Sequence, residues 1–438
     1  MANATTTTSQ LPPLPEYTLT PLSPLLSWTS DELLLAALPV VAYWAVSLIY
    51  HFIDVYGLCE KYRLHTPAEV LKRNHVTRYE VFRDVLLQQI IQVIASMLLS
   101  LADDAATSGK ADYDVAWYAQ KIRLGQRAIP FVMTILGLDP VALASNVSTS
   151  RPMLASALVG GQYPGLMQSI KVAGQDTIAP AFASWELTLA SSLYWYIIPA
   201  LQFAAAIFIM DTWEYFWHRA MHLNKWLYVT LHSRHHRLYV PYAYGALYNH
   251  PVEGFILDTL GAGVSSLVTG MTQRQCMWFF TISTVKTVLD HSGYDFPYDP
   301  LHFIFPNNAA YHDIHHQSWG IKTNFSQPFF TVWDRIGGTR FTGDAEAKYE
   351  RSRRIAHEKV VQEVENNNLA VEAAATMATA LDGDENTRSQ PLATPHVTRK
   401  KSSSISNSPA GNLKGLRKKV NGGLHGKRAN VLGVDSSH

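Results

Sequence analysis

The chain is 438 residues long, enough for two or three domains. Its 36 Lys and Arg against 35 Asp and Glu leave a formal net charge of +1, so bulk electrostatics gives no reason to expect a nucleic-acid partner. The two cysteines, Cys59 and Cys276, stand far apart, which excludes a disulfide framework and a thiolate metal cluster and leaves nitrogen and oxygen as the donors for any metal.

Residues 1–31 are rich in Thr, Pro and Ser and contain no Lys or Arg. They read as a flexible arm without the basic start of a cleavable signal peptide. Residues 32–53, "ELLLAALPVVAYWAVSLIYHFI", supply the roughly 20 mostly apolar positions that cross a bilayer core. Further apolar stretches run from about Val85 to Ala102 and from Leu187 to Met210. Residues 255–290 hold two apolar runs broken by "TGMTQRQ", the pattern of a helical hairpin. Residues 32–204 are therefore expected to be membrane spans and their connecting loops, and 205–342 the catalytic part. The frequent Trp and Tyr suit a chain at a membrane interface.

Orientation follows from the basic residues. The loop after the first span carries Lys61, Arg63, Lys72, Arg73, Arg78 and Arg83, which places it in the cytosol by the positive-inside rule. The N-terminal arm and the loop from about 103 to 184 then face the lumen, where the sequon Asn146-Val147-Ser148 is open to glycosylation. The third span returns the chain to the cytosol. From residue 343 the apolar periodicity fades, and residues 380–438 are Ser-, Asn-, Gly- and Lys-rich, with basic runs at 399–401, 417–419 and 427–428. The segment 343–438 is expected to be a mostly disordered tail, its charges suited to an anionic membrane surface.

Beyond the third span the histidines crowd. Residues 211–316 hold eleven of the eighteen. In "HRAMH", His218 and His222 are i and i+4, so a helix sets both on one face. In "HSRHH", His232 aligns with His235 and His236, and "HDIHH" repeats the pattern with His312, His315 and His316. A lone HxxxH pair is usually an ordinary core or surface pair. Eight imidazoles buried together without a shared partner, however, would leave many polar atoms unpaired. They are also too many for one ion, so two metals are expected, with Zn, Fe, Cu and Ni all compatible with imidazole donors.

The order HxxxH, HxxHH, a solitary histidine in "LDHSGYDFP", then HxxHH resembles the fatty acid hydroxylase superfamily of membrane di-iron enzymes. The likeness runs over about residues 205–341 and closes on "WDRIGGT". Within that superfamily, "ALYNHPVEGFILDTLG" and "FPNNAAYHDIHHQSWGIKTNFSQPFFTVWDRIGGT" look most like the fungal sphingolipid 4-hydroxylases, while sterol carbon-4 methyl oxidases and sterol desaturases share the clusters. Position by position, the resemblance implies as ligands His218, His222, His232, His235, His236, His291, His312, His315 and His316. Relatives with a paired histidine at the fourth motif carry another four residues before His291; here that residue is Thr287, and His250 is the candidate replacement. His302 and the histidines at 51, 65, 75, 357, 396, 425 and 438 are left as background. Metal-bound imidazoles usually pass their other N–H to a carboxylate or carbonyl, and Asp211, Asp290, Asp313 and Glu253 are the nearby carboxylates in sequence.

The resulting expectation is an all-α integral membrane bundle with a cytosolic helical cap carrying the histidine-rich di-metal site, in the endoplasmic reticulum membrane. The resemblance implies two iron ions, dioxygen as co-substrate and oxidation of an unactivated methylene in a membrane lipid, a long-chain base or ceramide. No Rossmann glycine fingerprint, flavin motif or "HPGG" haem signature occurs in the chain, so electrons are expected from NAD(P)H through a separate cytochrome b5 and its reductase. Rival readings are a sterol oxidase or desaturase with the same chemistry, and a non-catalytic metal-binding membrane protein.

Overall fold

The computed structural model describes residues 11–101, 105–172 and 175–385. Most of them are helical. The first span, α1 (Asp31–Val55), starts where the Ser30 hydroxyl accepts the Leu33 N–H, with Asp31 and Glu32 at the positive end of the helix dipole. Its 25 residues rise about 37 Å, more than the ~30 Å hydrocarbon core. Past the short α2 (Pro67–Arg73), α3 (Arg78–Ser100) begins seven residues before the apolar run that predicts it. A capping box explains the difference: Thr77 accepts the Glu80 N–H at 3.2 Å and Glu80 accepts the Thr77 N–H at 2.9 Å.

The loop expected to face the lumen folds into α4 (Ala111–Gln126), α5 (Ile129–Ile135), α6 (Pro140–Val147) and α7 (Pro152–Leu158). The strictly all-α expectation gains two small antiparallel pairs here. Strand β1 (Thr20–Pro21) pairs with β2 (Thr107–Ser108), and β3 (Met167–Val172) with β4 (Gln175–Pro180). The expected flexible arm is thus anchored over its described part: besides the β1 pairing, Gln120 donates to the Pro12 carbonyl and Arg274 to the Ser23 carbonyl. Residues 1–10 lie outside the described residues.

Next, α8 (Ser184–Ser192), a π-helical turn (Leu193–Ile197) and α9 (Ile198–Leu223) run on as one rod of 40 residues. At 1.5 Å per residue it is about 60 Å long, twice the ~30 Å bilayer core, and its C-terminal part carries His218 and His222. The predicted hairpin follows as α11 (Pro251–Gly254), a second π-helical turn (Phe255–Leu260) and α12 (Gly261–Thr269), then α13 (Gln273–Asp290). These follow α10 (Lys225–Thr230) in the chain. The break falls in "TGMTQRQ", where Gly270 takes a left-handed φ of +63° and Thr272 caps α13. Helix α12 packs on α9, and α13 on α1. A Cβ at Gly261 would stand 2.7 Å from the Trp213 ring of α9, so this close approach requires glycine.

Among the described residues, four helices are long and apolar enough to cross a membrane, or five if α4–α5 and α6, bent by 113°, form one broken span. Their outward faces leave Val41, Leu48, Ile90, Leu98, Leu201 and Phe208 exposed, as lipid contact requires. The protein is a membrane protein. Tyr43, Val85, Leu238, Leu247 and Tyr248 form a buried cluster that ties α1 and α3 to the segment after the second histidine motif. Helices α14 (Pro300–Ile304), α15 (Ala309–His316), α16 (Val332–Ile336) and α17 (Ala345–Glu385) follow α13 in the chain. Helix α17 departs from the expected disordered tail. Its first 40 residues are rich in Ala, Glu, Lys and Arg, good helix formers that need no apolar stripe to favour the helix, and Tyr349 and Ala356 are buried. The described residues fall into two units that part between Asn366 and Asn367; the rest of the expected tail, 386–438, lies outside the described residues.

Candidate metal centre

Helix α9 presents His218 and His222 one turn apart, as the spacing predicts. The second motif differs: residues His232–Arg237 form a 3-10 helix rather than an α-helix. The third motif is the end of α15, and His291 caps the C-terminus of α13.

The side chains gather into two groups. One holds His218, His222, His232, His236 and His315; the other holds His235, His291, His312 and His316, with the donor nitrogens in each within 4.8 Å of one another. Each HxxHH motif is therefore divided. Its i and i+4 histidines enter one group, and its i+3 histidine crosses to the other. His235 leaves its neighbours for the α15 pair, and His315 does the reverse.

Hydrogen bonding tests whether these groups suit metal. His218 Nδ1 donates to the Phe325 carbonyl at 2.8 Å, and His232 Nδ1 to the Glu253 carboxylate. With both Nδ1 atoms protonated in neutral rings, both Nε2 atoms carry bare lone pairs, yet they lie 3.1 Å apart. His235 and His316 repeat the arrangement: Nδ1 atoms on the Tyr248 and Leu238 carbonyls, Nε2 atoms 3.1 Å apart. His315 Nδ1 donates to the Thr323 carbonyl at 2.7 Å, and its Nε2 is buried with no hydrogen-bond partner among the described residues. Facing lone pairs repel unless a cation sits between them. Metal–nitrogen bonds of about 2.1 Å at right angles place adjacent donors about 3.0 Å apart, against about 3.4 Å for a tetrahedron. The observed separations of 3.0–3.2 Å match the right-angled case. The residues present fit two metal ions.

Electrostatics agrees. Burial first, and then the surrounding imidazoles, push His232, His236, His312 and His315 well below the ordinary histidine range. His316 moves the same way for the same reasons, and His235 falls to about 3. Neutral imidazole is the ligating form.

The expected carboxylate partners are mostly placed elsewhere. Asp211 accepts the Phe329 and Phe330 N–H groups at 3.0 and 2.7 Å. Asp290 is paired with Lys286 and Asn307. Asp313 meets His65 Nε2 at 2.9 Å and the Tyr349 hydroxyl at 2.6 Å. None of the three has a hydrogen bond to a gathered imidazole; backbone carbonyls and Glu253 take that part. Asp211, Asp290 and Asp313 hold the loops and helices that carry the ligands. His250 joins neither group. Its Nδ1 accepts the Val252 N–H at 3.3 Å and caps α11, so proximity to the second motif in sequence does not bring it to either histidine group. His65, set aside as background, is buried between Glu69 and Asp313. Its only sequence signal is the capping box "TPAE" that places Glu69 one turn after it.

A small chamber of about 20 Å3 adjoins His218 and His232 of one group and His235 and His291 of the other, with Glu214, Asp258, Thr287, Asp290 and Gln327 in its wall.

Comparison with known proteins comes to the same region. The family described as fatty acid hydroxylase matches residues 203–339. The sphingolipid C4-hydroxylase SUR2 of Saccharomyces cerevisiae is 39% identical over 85% of this chain and 89% of its own length. Sphinganine C4-monooxygenase 1 of Arabidopsis thaliana is 38% identical over 71% of this chain and 88% of its own. The very-long-chain aldehyde decarbonylase GL1-9 of Oryza sativa subsp. indica is 37% identical over 71% of this chain and 90% of its own. No solved structure matches.

Proposed function

The chain belongs to the fatty acid hydroxylase family, and from that premise we propose that it hydroxylates carbon 4 of a sphinganine-type base, free or as dihydroceramide, to a phytosphingosine-type product. The observation that carries the reading is the pair of histidine groups with facing lone pairs, set in a chain whose likeness to the C4-hydroxylases extends well beyond those motifs. The reaction balances as one methylene, dioxygen, two electrons and two protons giving one carbinol and water.

The nine gathered histidines would hold two iron ions, which supply activation of dioxygen for attack on the unactivated carbon. The protein's own share is geometric. The Phe325, Tyr248, Thr323, Leu238 and Thr287 carbonyls hold their imidazoles with Nε2 inward, and Glu253 does so for His232. The buried cap excludes water, and the spans deliver a lipid from the side. Electrons come from NAD(P)H through a cytochrome b5 and its reductase, which this reading places at the cytosolic face of the endoplasmic reticulum membrane.

Expression in a yeast lacking its own 4-hydroxylated bases tests the proposal by lipid profiling. Restored 4-hydroxysphinganine, absent with His235→Ala or His315→Ala protein at equal abundance, is the expected result. Unrestored bases together with altered methylsterols or alkanes would transfer the chain to a sterol or aldehyde substrate. Restoration by either alanine variant would refute the ligand assignment.

A further inference from the structure

We propose that Asp258 anchors the polar head of the lipid substrate at the wall between the metal chamber and an apolar intramembrane cavity, and so selects the carbon that reacts. The inference rests on the function proposed above and adds the site that would recognise the substrate.

The cavity lies among α1, α3, α9, α12 and α13 and measures about 420 Å3. Along α13 its lining runs from Gln273 to Thr287, about 21 Å of helix, longer than the ~15 Å of one leaflet's hydrocarbon. A single alkyl tail therefore fits along it. At the far end stand Leu35, Ser100 and Gly270; at the near end Asp258 and Thr287 line both this cavity and the metal chamber. The two spaces meet at these side chains.

Polar chemistry concentrates at that junction without protein partners to satisfy it. Asp258 sits on the π-helical turn within a candidate span, where a carboxylate is costly and usually functional. Its one hydrogen bond among the described residues is a long 3.4 Å contact from the Asn249 amide. The neighbouring Thr259 and Ser283 hydroxyls also line the cavity, buried and with no partner among the described residues. A buried acceptor left in this state is expensive. A 2-amino-1,3-diol head supplies what is missing: an ammonium or amide N–H and two hydroxyls for Asp258, Thr259 and Ser283.

Size fixes the division of labour. About 20 Å3 is room for one water-sized molecule, which needs about 10–15 Å3, so the lipid skeleton stays on the cavity side of the wall. With the amine-bearing carbon held at Asp258, the carbons nearest the chamber wall are those immediately beyond the head. Carbon 4 lies two bonds from that carbon.

The test uses the full-length enzyme in lipid nanodiscs with its electron donors, and sphinganine as probe. Asp258→Asn, close in shape to the native side chain, should keep its iron and its fold. KM for sphinganine should rise about tenfold, the scale of one charge-assisted hydrogen bond, and hydroxylation should spread to carbons next to carbon 4. Equilibrium binding of a fluorescent sphinganine should weaken in parallel without turnover. Unchanged KM, binding and regiochemistry in Asp258→Asn would overturn the anchor while leaving C4 hydroxylation intact. Wild-type enzyme that hydroxylates no long-chain base or ceramide would instead refute the function on which the anchor rests.

Discussion

His250 separates position in sequence from position in space. It lies in "YNHPVE", some way past the second histidine motif, yet its ring caps α11 through a 3.3 Å bond from the Val252 N–H. That bond is long, so His250→Ala should cost near the low end of the about 0.5–2 kcal/mol typical of a lost N-cap. At about 2–4 °C per kcal/mol for domains of 150–250 residues, melting should fall by about 3 °C or less. Glu253, which accepts both the His250 backbone N–H and the His232 ring N–H, keeps both bonds in the variant, so the His232 ring stays aimed. The assay is iron per folded chain, measured on detergent-purified protein beside turnover. Two irons and near-normal turnover are expected, and His250→Asn should recover the lost stability as a better cap. His235→Ala is the counterpart: it removes one of four nitrogens from its group, and iron should fall toward one per chain. Iron lost from well-folded His250→Ala would refute the assignment of that ring to a cap.

Two further outcomes follow from the same geometry. Glu253→Gln replaces the carboxylate on His232 and should weaken metal binding about 10–100-fold in a chelator competition; unchanged affinity would show that the contact does not tune the site. His65 supplies a pH signature. Burial pulls its pKa down, but the Asp313 and Glu69 carboxylates outweigh it and hold it at about 9, above the ordinary 6.5. A proton bound more tightly in the folded state stabilises it fully below pH 6.5, and the effect is lost as pH rises through 9. The stability gap between wild type and His65→Gln should therefore shrink from pH 6 to pH 10, and a constant gap would remove the charged His65.

Local patterns in the sequence determined much of this protein. Span length follows from apolar run length because a bilayer has one thickness, and the hairpin break at Gly270 follows from local backbone chemistry. Helical spacing marks eight histidines as a set, whose number leads to the expectation of two ions, and the family resemblance adds His291. The same local logic misjudged residues 345–385, where helix propensity without apolar periodicity suffices for a helix. It also placed carboxylates by sequence distance, choosing Asp211, Asp290 and Asp313 near the ligands. Only the tertiary structure decided that His235 and His315 exchange groups, that Glu253 rather than these three carboxylates meets one of the gathered imidazoles, and that Asp258 stands between cavity and chamber. Each of those depends on how helices far apart in sequence cross. A side chain's neighbours across a crossing are set by the packing of whole helices, and no spacing within one segment records it.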